Sequence, residues 1–575
     1  MTGDAPGVPA RTASPPEPGP AGPAGPAGAG PEGAAPGPER AARQVAPPAG
    51  RRGPRALLGW ARRHRHGIAV AGVTIAALAG IVGRFATPSH LWLDEALTVD
   101  IAGRPVGGLL AALRHDGSPP LYYLILHVWI KVFGDGDIAV RALSGVLSVL
   151  TLPVAWIAGR RVGLVAQSFG NAGERTPRRV ALATFLLFVS SPYAIRYGSE
   201  TRMYSMVVLV VLLFGLALLG ALERGGRVRL LLLCLATTAL VYTHYWTFLL
   251  VFTVAFFLLV QARRRPNYRR PALRAFAAMA ASAVPFGPWM PSFAFQMLHT
   301  GTPWAPRVQA QVLLDTVFDW AGPTSTGALL GLLLLAGALV GLTARPHGDH
   351  LDVAPRGRVP GRYLAAVWLV PLMLAYFAYL FGGSAYADRY TGIALPAFLL
   401  LSALGISLLP NPMRTVVLVV ALVTGLAGGF NLAQKERTQA GQIATRIAAL
   451  ARPDDVVAYC PDQLAPAVYR AISRRSDLQV RQIAYADPAG PALVDWVDYA
   501  QRMEQASGAQ FAAEVNTMAG PDHAIFLVRA DGYRTLEGAC AVLSDQLAVL
   551  RDRTVQVEKS NLFEGASLER FSTLR

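Results

Sequence analysis

The chain has 575 residues, 53% of them hydrophobic and 15% charged, with a formal net charge of +17 at pH 7. An average soluble domain is about a quarter charged. Here apolar runs of about eighteen or more residues recur between Gly67 and Phe430, which excludes an ordinary soluble globule and points to a polytopic membrane protein. The arginines gather in short loops between those runs, so the positive-inside bias explains the charge better than nucleic-acid binding does.

Residues 1–50 are Pro, Gly and Ala repeats with scattered charge. They lack the apolar surface to fold and are expected to be disordered. Arg51–His66 (RRGPRALLGWARRHRH) is densely basic and runs into the apolar Gly67–Val82. No cleavage site follows, so residues 1–66 read as a cytoplasmic N-terminus ahead of an uncleaved anchor. The chain then emerges outside, where Asp94 and Glu95 stand directly behind Leu91-Trp92-Leu93, and His115-Asp116 precede Gly117-Ser118-Pro119-Pro120. The next apolar piece, Leu121–Phe133, is short: a helix of about 13 residues reaches roughly 20 Å against a hydrocarbon core of about 30 Å. It reads as an interfacial or re-entrant helix.

Ten further spans are expected, at Ile138–Ala158, Val180–Ile195, Met203–Leu222, Leu230–Thr243, Thr247–Val260, Ala275–Met290, Thr326–Thr343, Tyr363–Leu380, Ile393–Leu409 and Thr415–Phe430. With the first anchor this makes about eleven, and the basic loops alternate onto the inside. Residues 431–575 alternate helix-like pieces with strand-like ones such as Val456–Tyr459, Val480–Tyr485, Ala524–Val528 and Val555–Val557. The pattern predicts a small α/β domain outside the cell. The fold class is therefore an α-helical polytopic membrane protein with a C-terminal α/β extracytoplasmic domain. There are three cysteines. Cys234 lies in a span, and Cys460 and Cys540 either pair or remain two buried thiols. No metal-ligand spacing is present in the sequence.

This topology collects the conspicuous polar and aromatic residues on the outer face: Asp94-Glu95, His115-Asp116, Glu200 and Arg202 with Tyr204, His244 with Trp246, Thr302-Pro303-Trp304, and Asp388-Arg389. Carboxylates against a membrane surface are costly and are functional candidates by default. Sugar transfer on that face requires a lipid-phosphate donor, because nucleotide sugars are made inside. Attack by an acceptor hydroxyl needs a base, and the departing phosphate needs cations. A carboxylate meets the first need. Arg202 and Arg389 meet the second, since guanidinium grips phosphate at two points. Trp92, Tyr122, Tyr123 and Trp246 are candidates to line the sugar or polyprenyl path. The competing reading of Asp94-Glu95 is a helix cap.

LDEALT, HDGSPPLYYLILHVWIKVFG, Arg141, SPYAIRYGSETRMYS and ADRYTGIALP together resemble the GT-C superfamily of polytopic transferases. The nearest branch is the glycosyltransferase family 39-like proteins, which include protein O-mannosyltransferases and the lipid A aminoarabinose transferase, and the composition is similar to actinobacterial members. The resemblance covers roughly residues 67–430. It implies inverting transfer from a polyprenyl-phosphate sugar, with the first-loop aspartate as base. That role falls on Asp94, with Glu95 as the acid beside it. His115, Asp116, Tyr122, Glu200, Arg202, Tyr204, His244, Asp388 and Arg389 are then substrate-binding candidates. Members differ in their need for a divalent cation, so no cofactor is assigned. The expected partners are a polyprenyl-phosphate sugar, mannose-like or pentose, an envelope glycan, lipid or protein acceptor, and the bilayer. Two other readings remain: a transporter or flippase of lipid-linked glycans, and a non-catalytic membrane assembly partner.

Overall fold

The structure, a computed structural model, describes residues 64–301, 308–347, 350–382, 385–475, 478–531, 536 and 538–574. The N-terminal segment expected to be disordered lies outside them, as do Thr302, Pro303 and Trp304. Apart from Arg65 at the start of the first helix, everything described below belongs to the compact unit His66–Arg575.

Helix α1 (Arg65–Gly83) precedes a cluster of shorter helices: α2 (Leu93–Gly103), α3 (Val106–Asp116) and α4 (Leu121–Phe133). Gly117 ends α3 in the left-handed conformation with φ 78°, which glycine adopts without a side-chain penalty. Pro119 and Pro120 then redirect the chain into α4, whose bounds are those read from the sequence. Helix α5 (Asp137–Ser168) follows and carries Arg141.

Among the described residues six helices are long and apolar enough to cross a membrane: α5, Tyr204–Arg224, Thr247–Arg264, Ser325–Thr343, Gly361–Phe381 and Met413–Gln434. Thr176–Ser190 and Pro192–Gly198, bent by 52°, make a seventh if counted as one span. The expected eleven crossings are thus not all carried by helices of spanning length. The shortfall has visible causes. Pro192 breaks the third expected span. The expected span Ala275–Met290 falls across the end of helix Pro266–Ala280 and a kinked run containing Pro285 and Pro288, where backbone donors are missing. Helix Leu395–Leu408 has only 14 residues, every one of them buried in protein.

That buried helix is held by close backbone approach. A Cβ on Gly405 would lie 1.8 Å from the Gly337 carbonyl oxygen, and one on Gly341 would lie 2.3 Å from that of Leu401. Gly337 and Gly341 are four apart on helix Ser325–Thr343, the spacing that lets membrane helices touch through their backbones. The Ser402 hydroxyl adds a hydrogen bond to the Leu334 carbonyl at 2.8 Å.

A short hairpin, β1 (Ala344–His347) and β2 (His350–Val353), links two of the long helices. After Met413–Gln434 the tail forms a five-stranded sheet from β3 (Val456–Cys460), β4 (Arg481–Ala484), β5 (Ile525–Arg529), β6 (Arg553–Val557) and β7 (Ser567–Phe571). The strand order is β4-β3-β5-β7-β6, with the β4, β3 and β5 neighbours parallel and the rest antiparallel. Strand β7 escapes the sequence reading because Ser567-Leu568-Glu569-Arg570-Phe571 has only two apolar residues. Cys460 at the end of β3 is disulfide-bonded to Cys540, which resolves the two options left open by the sequence. Trp92 and Leu93 pack in the same apolar cluster as these cysteines, Trp496 and Phe571. The start of α2 is therefore embedded in the tail.

Gly405→Ala is expected to destabilise the protein by about 1–3 kcal/mol through overpacking. The check is the thermal midpoint in detergent: an unchanged midpoint contradicts the backbone-to-backbone crossing.

Candidate active site

Helix α2 opens with two acids in its first turn, where the unpaired backbone N–H groups favour negative charge. Adjacent residues on an α-helix point about 100° apart. Asp94 and Glu95 consequently face different surroundings, and the structure gives them different tasks.

Glu95 is fully buried. Arg141 grips it at two points, Nε to Oε1 at 2.8 Å and Nη2 to Oε2 at 2.6 Å. The Thr201 amide donates to Oε1 at 2.9 Å, and Arg437 Nη1 lies 3.6 Å from Oε2. Arg141 also donates to the carbonyls of Ser89 and His90. The expectation that Glu95 shares in catalysis thus meets a carboxylate whose oxygens are both engaged. Burial pushes its pKa up, but the charge and hydrogen bonds of Arg141, with Arg437 and Thr201, outweigh burial and bring it down to about 2.

Asp94 stands in contrast. Its Oδ2 lies 3.9 Å from Arg202 Nε and 3.9 Å from Arg389 Nη2, both too long for a hydrogen bond. Neither Asp94 Oδ2 nor Arg202 Nε has a hydrogen-bond partner. All three side chains line a cavity of about 490 Å³. Arg202 is held from behind by its Nη1, which donates to Thr98 Oγ1 at 2.7 Å and to the Tyr123 hydroxyl at 3.1 Å. Tyr123 in turn donates to Asp116 Oδ2 at 2.9 Å, and Asp116 lines the cavity too. Arg389 sits in the short 3-10 helix Asp388–Ile393, whose backbone is fixed by the Tyr193 hydroxyl, which donates to the Arg389 carbonyl at 2.7 Å. The cavity therefore brings the carboxylates of Asp94 and Asp116, two guanidinium groups and room for a ligand into one place.

The remaining candidates divide. His115 is exposed and pairs with Asp495 of the tail at 3.0 Å, while its carbonyl accepts from the Trp496 amide at 3.1 Å. It docks the tail and is not on the cavity wall. Tyr122 is fully buried and hydrogen-bonded to the Ser144 hydroxyl at 2.8 Å, so its neighbour Tyr123 is the ring that reaches Arg202. Glu200 is buried against Arg196, with Arg437 Nη1 at 3.5 Å. Tyr204 and His244 lie behind the cavity residue Tyr390, with ring centroids 6.3 Å and 4.8 Å from it. Asp388 is exposed. Among the described residues no three His, Cys, Asp or Glu side chains form a group suited to a metal ion.

The sequence reading missed the tail's share of the cavity. Gln463, Trp496 and the strap Lys559–Gly565 between β6 and β7 line it opposite α2. It also missed Arg437, whose guanidinium lies near both Glu95 and Glu200 and donates to Ser199. The one signal in the sequence was the position of Arg437 just past the last apolar run.

Removing one partner of a buried ion pair costs about 3–5 kcal/mol, so Glu95→Ala should lower unfolding stability in detergent by about that amount. Glu95 has its pKa lowered from 4.5 in the folded protein. Its stabilisation is present above pH 4.5 and is lost as pH falls toward about 2. A Glu95→Gln variant should show a flatter stability curve over that window. An identical curve contradicts the pairing.

No protein-family model and no curated protein sequence matches the chain. Among solved structures it is similar to the crystal structure of ArnT from Cupriavidus metallidurans bound to undecaprenyl phosphate, with TM-score 0.52 and 14% sequence identity, over 88% of this chain and 98% of that one. The same protein in the apo state gives TM-score 0.53 and 13% identity over the same shares. Together with six helices of spanning length among the described residues, this makes the chain a multi-pass membrane protein with the fold of ArnT.

Proposed function

We propose that the protein is an integral membrane glycosyltransferase that moves a mannose-like or pentose sugar from a polyprenyl-phosphate donor to a hydroxyl of a cell-envelope glycan, lipid or protein. The observation that carries this reading is the Asp94 carboxylate on the cavity wall, its Oδ2 3.9 Å from each of two guanidinium groups and without a hydrogen bond. The fold shared with ArnT, crystallised with undecaprenyl phosphate, supports a lipid-phosphate donor.

In this mechanism Asp94 takes the proton from the acceptor hydroxyl as its oxygen attacks the anomeric carbon. The bond from that carbon to the phosphate oxygen breaks, and the sugar is inverted. The polyprenyl phosphate leaves with the electron pair. Arg202 and Arg389 meet the developing charge on it, each with directional donors suited to phosphate. Asp116 and Tyr123 hold Arg202 in place. Asp94 and the arginines are close enough to act on one ligand, yet not bonded so tightly that a ligand must break a two-point pair to enter.

The test uses the purified full chain in lipid with radiolabelled polyprenyl-phosphate sugars and an envelope acceptor extract. Asp94→Asn should cut transfer by about a hundred- to ten-thousandfold, with the thermal midpoint unchanged. Transfer that survives this change sinks the reading. Sugar-lipid movement between leaflets without transfer favours a carrier. Arg202→Ala and Arg389→Ala should each weaken binding of polyprenyl phosphate about tenfold or more, in line with the loss of a charge-assisted bond of about 1.5–3 kcal/mol.

A further inference from the structure

Glu564 lies on the strap Lys559–Gly565 and is separated from α2 by 471 residues of sequence, yet its Oε1 accepts a hydrogen bond from the Leu93 amide at 3.1 Å. Leu93 is the first residue of α2 and the residue before Asp94. Its N–H is one of the donors that a helix start leaves without an internal partner. No side chain next to the start supplies a cap, since the preceding residue is Trp92. The missing acceptor comes from the tail.

The strap is built to hold that position. Gln439 Oε1 accepts from the amides of Ser560 and Ala566, both at 2.9 Å, and closes the two ends of the strap on one side chain. The Glu564 amide donates to the Arg437 carbonyl at 2.8 Å. Next door, Phe563 meets Trp92 edge-on, with ring centroids 4.9 Å apart. Glu564 is 5% exposed, and its Oε2 is buried without a hydrogen-bond partner. Burial pushes the carboxyl up to about 8; hydrogen bonds from Thr438 and the Leu93 amide oppose the rise and the charges of Asp94 and Glu95 add to it, so the net shift favours the neutral acid. A neutral acid can accept from Leu93 without placing a second anion against Asp94.

We propose that Glu564 is a positioning residue: through Leu93 the tail holds the first turn of α2 and thereby sets where the Asp94 carboxylate stands relative to Arg202 and Arg389. The inference rests on the glycosyl-transfer reading for its effect on turnover, and on geometry alone for its effect on α2. It makes the tail a working wall of the site and not an appended module.

The experiment compares Glu564→Ala and Glu564→Gln in the full chain in lipid, by amide hydrogen exchange over residues 91–100 and by transfer kinetics. Glu564→Ala is expected to speed exchange in the first turn of α2 while the spanning helices keep theirs. It should lower kcat about tenfold or more, because a small misplacement of a reacting group is costly, and leave the donor KM within about twofold. Glutamine keeps an oxygen for Leu93 and should recover most of both losses. Unchanged exchange in the alanine variant overturns the proposal, and so does a glutamine variant no better than alanine. Survival of transfer in Asp94→Asn would instead sink the glycosyltransferase reading, and the exchange result would still decide whether Glu564 holds the helix.

Discussion

Glu95 and Arg141 meet inside the protein in a two-point bond, at 2.8 and 2.6 Å, with both side chains out of water. Desolvating two charges costs several kcal/mol each, and attraction offsets that cost only when geometry is good and the remaining valences are filled. Here they are filled. The Thr201 amide, Arg437 and the carbonyls of Ser89 and His90 complete the cluster. The pair ties α2 to α5 and to the loop ahead of Tyr204. The direction of the next residue on α2 is fixed by the same bond, because the helix cannot rotate about its axis while Glu95 is held.

Tight and loose ion pairing therefore sit side by side on one helical turn. The Glu95 cluster is closed, while Asp94 faces its arginines at 3.9 Å without a bond. A closed pair resists exchange of partners, whereas an open one accepts a new group between its members. The distinction separates framework from site more clearly than residue type does, since both residues are carboxylates beside arginines. It also explains why Glu200, equally acidic and beside arginine, belongs with the framework: it is buried and its Oε2 is held by Arg196 and Arg437.

Much of this was legible in the sequence. The apolar runs gave the helical bundle, and the acid pair behind Leu91-Trp92-Leu93 gave the start of α2. Arg202 and Arg389 stood out as cations on loops otherwise expected to face outward, and both reach the Asp94 cavity. What the sequence withheld depends on rotation and distance. Nothing in Tyr122-Tyr123 says which ring points toward Arg202, because the phase of α4 is set by packing. Whether a run of apolar residues continues past Pro192 or bends there is likewise decided by its neighbours. Glu564 was invisible because the acceptor for a helix start is ordinarily sought within a few residues, not 471 away.

The crosslink between Cys460 and Cys540 lies in the same apolar cluster as Trp92 and Leu93. Disulfides form and persist where thiols are oxidised. The tail body that roofs the cavity is thus held by a covalent crosslink as well as by packing. Without that bond, the wall packed against Trp92 and Leu93 would be held by side-chain contacts alone. A production host that keeps the tail reduced would deliver a bundle with the right residues and an unfinished roof.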